Sequence, residues 1–125
     1  MSSDSALLVV AHGSRREISN DEVRSLVNGL AKSPHDFARV GCAFLELAQP
    51  SIPDALRAMI ADGFERIVVL PYFLSAGRHV AEDIPGEIRE VQTEFPDVVI
   101  SLASYLGTSE AITGILLDLA ADAPG

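Results

Sequence analysis

Leu7-Leu8-Val9-Val10-Ala11 is an unbroken aliphatic run that ends abruptly in His12-Gly13-Ser14-Arg15. A strand with one wet face alternates polar and apolar residues, and this one does not. The run therefore reads as a strand covered on both faces, which is the condition of a central strand in a parallel α/β sheet. Parallel neighbours need long crossovers, so the rest of the chain has to alternate strand and helix. Gly13 lets the backbone turn tightly and pass close to a ligand. His12 falls at the carboxyl end of the strand, where open α/β sheets place their sites.

The rest of the sequence supplies that alternation. Glu17 to Ala31 carries Ile18, Val23, Leu26, Val27 and Leu30 at helical spacing, and Lys32-Ser33-Pro34-His35-Asp36 stops it. Phe37 to Leu45 reads as a second strand with Glu46 at its exit. Ser51 caps a second helix, with Pro53 and Asp54 in its first turn and Gly63 past its end. Ile67 to Phe73 is a third strand, followed by the loop Leu74-Ser75-Ala76-Gly77-Arg78-His79. Because Pro85 cannot sit deep in a helix, a short turn is expected near His79 and a helix from about Asp83, as its cap, to Glu94. Val98 to Leu102 is a fourth strand, Ser104-Tyr105-Leu106-Gly107 its loop, and Thr108 or Ser109 caps a last helix through Leu119. The expected fold is a four-stranded parallel sheet with helices on both faces, a flavodoxin-like three-layer α/β/α unit, one domain over residues 1–125.

Composition narrows the partners. The net charge is −9, with 9 Lys and Arg against 18 Asp and Glu, which argues against a nucleic-acid footprint. The longest apolar stretch, Ile67 to Leu74, is interrupted by Pro71 and too short to span a bilayer, and Met1 to Ser5 has no basic residue of a signal peptide. A cytoplasmic protein without a membrane partner is expected. The lone Cys42 reads as a small buried side chain in a reducing compartment, and His35 as a surface loop residue.

In this topology all strands end on one edge, so His12, Glu46, the Ser75–His79 loop and the Tyr105 loop lie along one rim. Two imidazoles and a carboxylate are a common ligand set for a divalent first-row metal. The set requires the second and third strands to flank the first. The plainer readings are a hydrogen-bonded structural histidine at a strand end and a Glu46 that caps the helix after it. Arg15, Arg16 and Arg78 flank the two rim histidines and suit carboxylate or phosphate groups, although solvated loop arginines look the same in sequence. Backbone N–H groups around Ser75-Ala76-Gly77 suit an anion as well.

These motifs resemble a known family. His12-Gly13-Ser14-Arg15 with Asn20, Phe44-Leu45-Glu46-Leu47-Ala48 with Pro50-Ser51, and Pro71 through Val80 with Asp83-Ile84-Pro85 are similar to the short form of the CbiX/SirB sirohydrochlorin chelatases. The resemblance implies insertion of a divalent metal (Co2+, Fe2+ or Ni2+, as substrate) into a tetrapyrrole without ATP and without an organic cofactor. It makes His12 and His79 the catalytic, metal-handling histidines with Glu46 as a third metal group. Ser14, Arg15, Arg16, Ser75, Gly77, Arg78 and Tyr105 are then expected around a macrocycle bearing carboxylate arms. Longer relatives carry two such halves, so the resemblance also implies a homodimer. A carrier that holds a tetrapyrrole or metal without turnover is the competing reading. A phosphate or nucleotide binder fits less well, because no glycine-rich phosphate loop follows the first strand.

Overall fold

The structure, a computed structural model, describes residues 5–125; the opening residues considered above for targeting signals lie largely outside that range. Its order is β1 (Ser5–Ala11), α1 (Glu17–Lys32), β2 (Arg39–Phe44), α2 (Ile52–Ala61), β3 (Arg66–Pro71), α3 (Ile84–Glu94), β4 (Val99–Leu102) and α4 (Ala111–Ala121). All pairings are parallel and the sheet order is β2-β1-β3-β4. The flanking condition on β1 is therefore met. Every β1 residue except Leu7 is buried, which is the physical reason its sequence shows no alternation.

One sheet face carries Ala6, Leu8, Val10, Ala43, Ile67 and Val69 into a cluster with Leu56 and Met59 of α2 and Ile84, Ile88 and Val91 of α3. Each fully buried Val, Leu or Ile side chain there contributes roughly 1.5–3 kcal/mol. The other face, through Val9, Cys42 and Phe44, turns toward α1, whose Arg24 guanidinium lies 5.2 Å from the Phe44 ring centre. Cys42 is half-buried there, and burial pushes its thiol pKa up. Arg57 on α2 ties α2 to α3 by ion pairs with Glu90 and Glu94. Among the described residues no helix is long and apolar enough to cross a membrane.

The helix ends agree with sequence chemistry where the caps are local. Ser51 Oγ accepts the Asp54 N–H at 3.2 Å, and Gly63 follows α2 at φ +98°. Two expectations need correction. Asp83 is no cap: the chain is already wound from His79, through a π-helical turn over His79–Asp83 that runs straight into α3. In that wider turn the Ile84 N–H reaches back to the His79 carbonyl, so Pro85 is accommodated at the end of a π turn instead of breaking an α-helix. The last helix starts later than expected, at Ala111, after a 3-10 turn over Leu106–Thr108. Ser109 Oγ does accept the Ala111 N–H. Strand ends differ by a residue or two: β2 begins at Arg39 instead of Phe37, and β3 ends at Pro71 instead of Phe73.

Candidate functional site

The site is built where β1 and β2 leave the sheet together. Past the strand ends the backbones remain paired, with Leu45 N–H donating to Ala11 O and Glu46 N–H to His12 O, each at 3.0 Å. This puts the two side chains next to each other, and His12 Nε2 lies 2.6 Å from Glu46 Oε2. Gly13 takes φ +96°, and a Cβ there would stand 1.7 Å from the Glu46 carbonyl oxygen. Leu47 then reverses the chain at φ 65°. Glu46 is thus a partner of His12 and not a helix cap, since Ser51 holds that place.

The loop after His12 is clamped from α1. Asn20 is 1% exposed; its Oδ1 accepts the Ser14 N–H at 2.9 Å, and its Nδ2 donates to Ser14 O at 2.8 Å and to Glu17 Oε2 at 3.2 Å. A fully satisfied buried amide of this kind fixes a loop conformation, and removing it would strand both Ser14 backbone groups. Asn20 shares a helical stripe with Val23 and Val27, so a polar residue at an apolar position was the sequence signal for it.

His79 arrives from β3. Tyr72 N–H still bonds Val10 O at 2.7 Å, the loop turns through Gly77 at φ +23°, and the π-helical turn begins at His79. The His12 and His79 ring centres are 4.5 Å apart, with planes at 63°. His79 Nδ1 lies 2.7 Å from Asp83 Oδ2. An ionised carboxylate only accepts hydrogen bonds, so each neutral ring directs its N–H to its carboxylate. His12 keeps a lone pair on Nδ1 and His79 on Nε2, and both histidines remain about two-fifths exposed. Asp83 was missed as a site residue because it was read as a cap.

The histidine pair lies between two hollows of opposite character. One, of about 380 Å3, is lined by His79 and the carboxylates of Glu46, Glu82, Asp83, Glu87 and Glu90. The other, of about 390 Å3, is lined by His12, Ser14, Asn20, Tyr72, Phe73 and Leu74 and contains no formally charged side chain apart from what His12 acquires on protonation. Burial, then the charges of Asp83 and Glu90, push the Glu87 carboxyl pKa above its usual value. A raised folded-state pKa means that ionised Glu87 strains the fold at neutral pH, and that the strain is absent below the unfolded pKa. Glu87→Gln should therefore raise the thermal midpoint at pH 7 by about 1–3 °C after allowance for solvent screening, with the gain gone below about pH 4. Thermal melts of both proteins across pH 3.5–8 check this; a gain that persists at low pH would mean packing and not charge.

His12, Glu46 and His79 therefore come together. Ser14 lines the uncharged hollow, while Arg15, Arg16, Ser75, Gly77, Arg78 and Tyr105 lie outside the linings of both. Arg78 is 81% exposed and 3.7 Å from Glu82, while Tyr105 accepts the Thr108 hydroxyl on its carbonyl. Among the described residues no three His, Cys, Asp or Glu side chains form a ready-made cage for a metal ion. Glu46 and Asp83 each spend an oxygen on a histidine, which leaves an open pair of imidazoles with carboxylates behind them.

The chain has relatives among known proteins. The chain is 35% identical over 112 residues to the chloroplastic sirohydrochlorin ferrochelatase of Arabidopsis thaliana, covering 90% of this chain and 49% of that protein. It is 34% identical over 110 residues to a sirohydrochlorin cobaltochelatase of Sulfurisphaera tokodaii, covering 88% and 86% of the two. The crystal structure of the sirohydrochlorin chelatase SirB from Bacillus subtilis subspecies spizizenii in complex with cobalt superposes with a TM-score of 0.84 at 28% identity, over 98% of this chain and 51% of that one. The chain thus spans about half the length of the ferrochelatase relatives it matches. The CbiX family model matches residues 6–123, a span that includes both rim histidines and their carboxylates, and the chain belongs to the CbiX family.

Proposed function

We propose that this chain catalyses the ATP-independent insertion of a divalent metal, Co2+ or Fe2+ with Ni2+ as a further substrate, into sirohydrochlorin, a step toward cobalamin or sirohaem. The observation that carries the reading is the His12–His79 pair, 4.5 Å between ring centres and backed by Glu46 and Asp83, between an acidic and an uncharged hollow. The names of the relatives supply the substrate class.

The reaction balances simply: M2+ enters the macrocycle and two inner pyrrole N–H protons leave. The uncharged side, with Tyr72, Phe73 and Leu74, suits an apolar ring, and the acidic side suits a hydrated cation. Carboxylate arms on the ring are repelled from the acidic hollow, and Arg15, Arg16 and Arg78 are the cations available to them. His12 Nδ1 takes one pyrrole proton, with Glu46 stabilising the imidazolium that forms, and the second proton leaves to solvent water. His79 Nε2 hands over the metal, with Asp83 holding its ring in the required tautomer. The site is proposed to work in a homodimer.

The deciding experiment follows the visible absorption of sirohydrochlorin anaerobically with catalytic amounts of the protein and Co2+, Fe2+ or Ni2+ in turn. Multiple turnovers above the protein-free rate are expected. A stoichiometric spectral shift without turnover would overturn the enzyme reading in favour of a carrier.

A further inference from the structure

One stripe of α1 carries Glu17, Asn20, Asp21 and Arg24 at i, i+3, i+4 and i+7. The Arg24 guanidinium makes four contacts at once. Its Nη1 donates to Glu17 Oε1 at 2.5 Å and to Asp21 Oδ1 at 2.8 Å, and its Nη2 donates to the Gln49 carbonyl at 3.3 Å. Its carbon stands 5.2 Å from the centre of the Phe44 ring, which is fully buried. Exposed ion pairs add little to stability, so the purpose of this cluster has to be sought in what it joins.

Two of the contacts lead to the segment that bears Glu46. Phe44 lies just before that residue and Gln49 just after it. Between them the chain has no regular structure, and Leu47 sits at φ 65°, a left-handed conformation that is costly for a residue with a Cβ. Such a conformation persists only where the surroundings fix it. Phe44 N–H closes the turn on the Pro50 carbonyl from within, and Arg24 holds the Gln49 carbonyl from α1. A third contact leads to the other side of the pair. Glu17 Oε2 accepts from Asn20 Nδ2, and the Asn20 amide grips both backbone groups of Ser14 in the loop after His12. The hydrogen bonds from Arg24 and then Asn20 hold the Glu17 carboxyl below its usual range, so this link stays ionised at neutral pH. An unbroken line of hydrogen bonds thus runs from the Ser14 backbone through Asn20, Glu17 and Arg24 to Gln49.

We propose that Arg24 is a positioning residue for the His12–Glu46 pair: it ties the turn that bears Glu46 to the loop that follows His12, and so sets the 2.6 Å approach of Glu46 Oε2 to His12 Nε2. This rests on the proposed function, in which Glu46 stabilises the His12 imidazolium. The work requires an arginine. A planar fork can serve two carboxylates and a carbonyl together while its flat face lies on Phe44, whereas a lysine ammonium is a point charge that reaches only part of that set. Of the four contacts, only the one to Asp21 leads to neither loop.

The test compares Arg24→Met, which keeps a helix-forming stem and removes every donor, with Arg24→Lys, Asp21→Asn and Glu46→Ala. Each protein is assayed for metal insertion into sirohydrochlorin and, separately, for Co2+ binding by calorimetry. Arg24→Met should lower kcat about 10-fold with the sirohydrochlorin KM within about 2-fold, and should raise the Co2+ dissociation constant about 10-fold, as loss of support behind a metal-binding histidine does. Combined with Glu46→Ala, the same change should move either quantity by less than about 2-fold, because the group it positions is already gone. Arg24→Lys should recover only a small part of the loss, and Asp21→Asn should match the wild type. A loss that persists in full on top of Glu46→Ala overturns the proposal and makes Arg24 a general support of the fold. Wild-type values in Arg24→Met overturn it too, as does full recovery by Arg24→Lys, which would mean that charge alone suffices. A wild type that binds Co2+ without turnover removes the chelatase reading and leaves the Co2+ measurements to decide the role of Arg24. One that neither turns over nor binds Co2+ overturns both.

Discussion

Replacing His79 or His12 by alanine should lower the rate of metal insertion into sirohydrochlorin by about 10²–10⁴-fold, the range that a positioned proton acceptor or donor group supplies. The two losses should not add, because in the proposed mechanism the two rings, 4.5 Å apart, serve one transfer and either deletion stops it. Stability should hardly change: both side chains are about two-fifths exposed and bond only to exposed or half-exposed carboxylates. Asp83→Asn separates positioning from contact. The amide retains the shape but no longer favours the His79 Nδ1–H tautomer, so a smaller loss, of about 10–100-fold, is expected with a shifted pH–rate profile. Steady-state absorption kinetics of the four proteins, alongside their thermal melts, decide the matter. Unchanged turnover in either histidine variant would remove the mechanism, and a loss that tracks a fall in melting temperature would make the pair structural.

Much of this is legible in the sequence. β1 declared itself because a strand covered on both faces has no alternation to show, and once it was placed centrally the crossover rule brought His12, Glu46 and His79 to one edge. Asp83 was hidden by Pro85. Proline argues against a regular helix upstream, and only the wider π turn, which sends the Ile84 N–H to the His79 carbonyl, reconciles the two. His79 and Asp83 are four residues apart, the spacing of a side-chain pair, but that signal has force only once the segment is known to be wound. Asn20 was visible in the motif while its role was not, since a buried amide among apolar neighbours shows its purpose only when the Ser14 backbone is in place beside it. The apolar pattern of α4 reads as a packed helix, whereas in the structure none of its residues is buried.

Gly13→Ala should be the most damaging single methyl in the chain. The added Cβ would meet the Glu46 carbonyl oxygen at 1.7 Å and its carbon at 2.9 Å, both backbone atoms that no side-chain rotation can move. It would also impose φ +96° on an L residue, which alone costs about 1–2 kcal/mol. The backbone cannot yield locally, because Leu45 N–H and Glu46 N–H are bonded to Ala11 O and His12 O on either side of the contact. Relief therefore means parting the ends of β1 and β2, which breaks those bonds and draws Glu46 away from His12. A loss of about 3 kcal/mol or more is expected, or roughly 10 °C in the melting temperature of a domain this size. Gly63→Ala is the matched control: its φ is +98° but nothing lies within 4 Å of its Cβ, so only the backbone part of the cost, about 1 kcal/mol, should be measured. If the two variants melt together, the close approach at Gly13 carries no energy of its own. If Gly13→Ala is the less stable but, assayed well below its melting temperature, inserts metal at the wild-type rate, the register that sets Glu46 against His12 is dispensable for the chemistry.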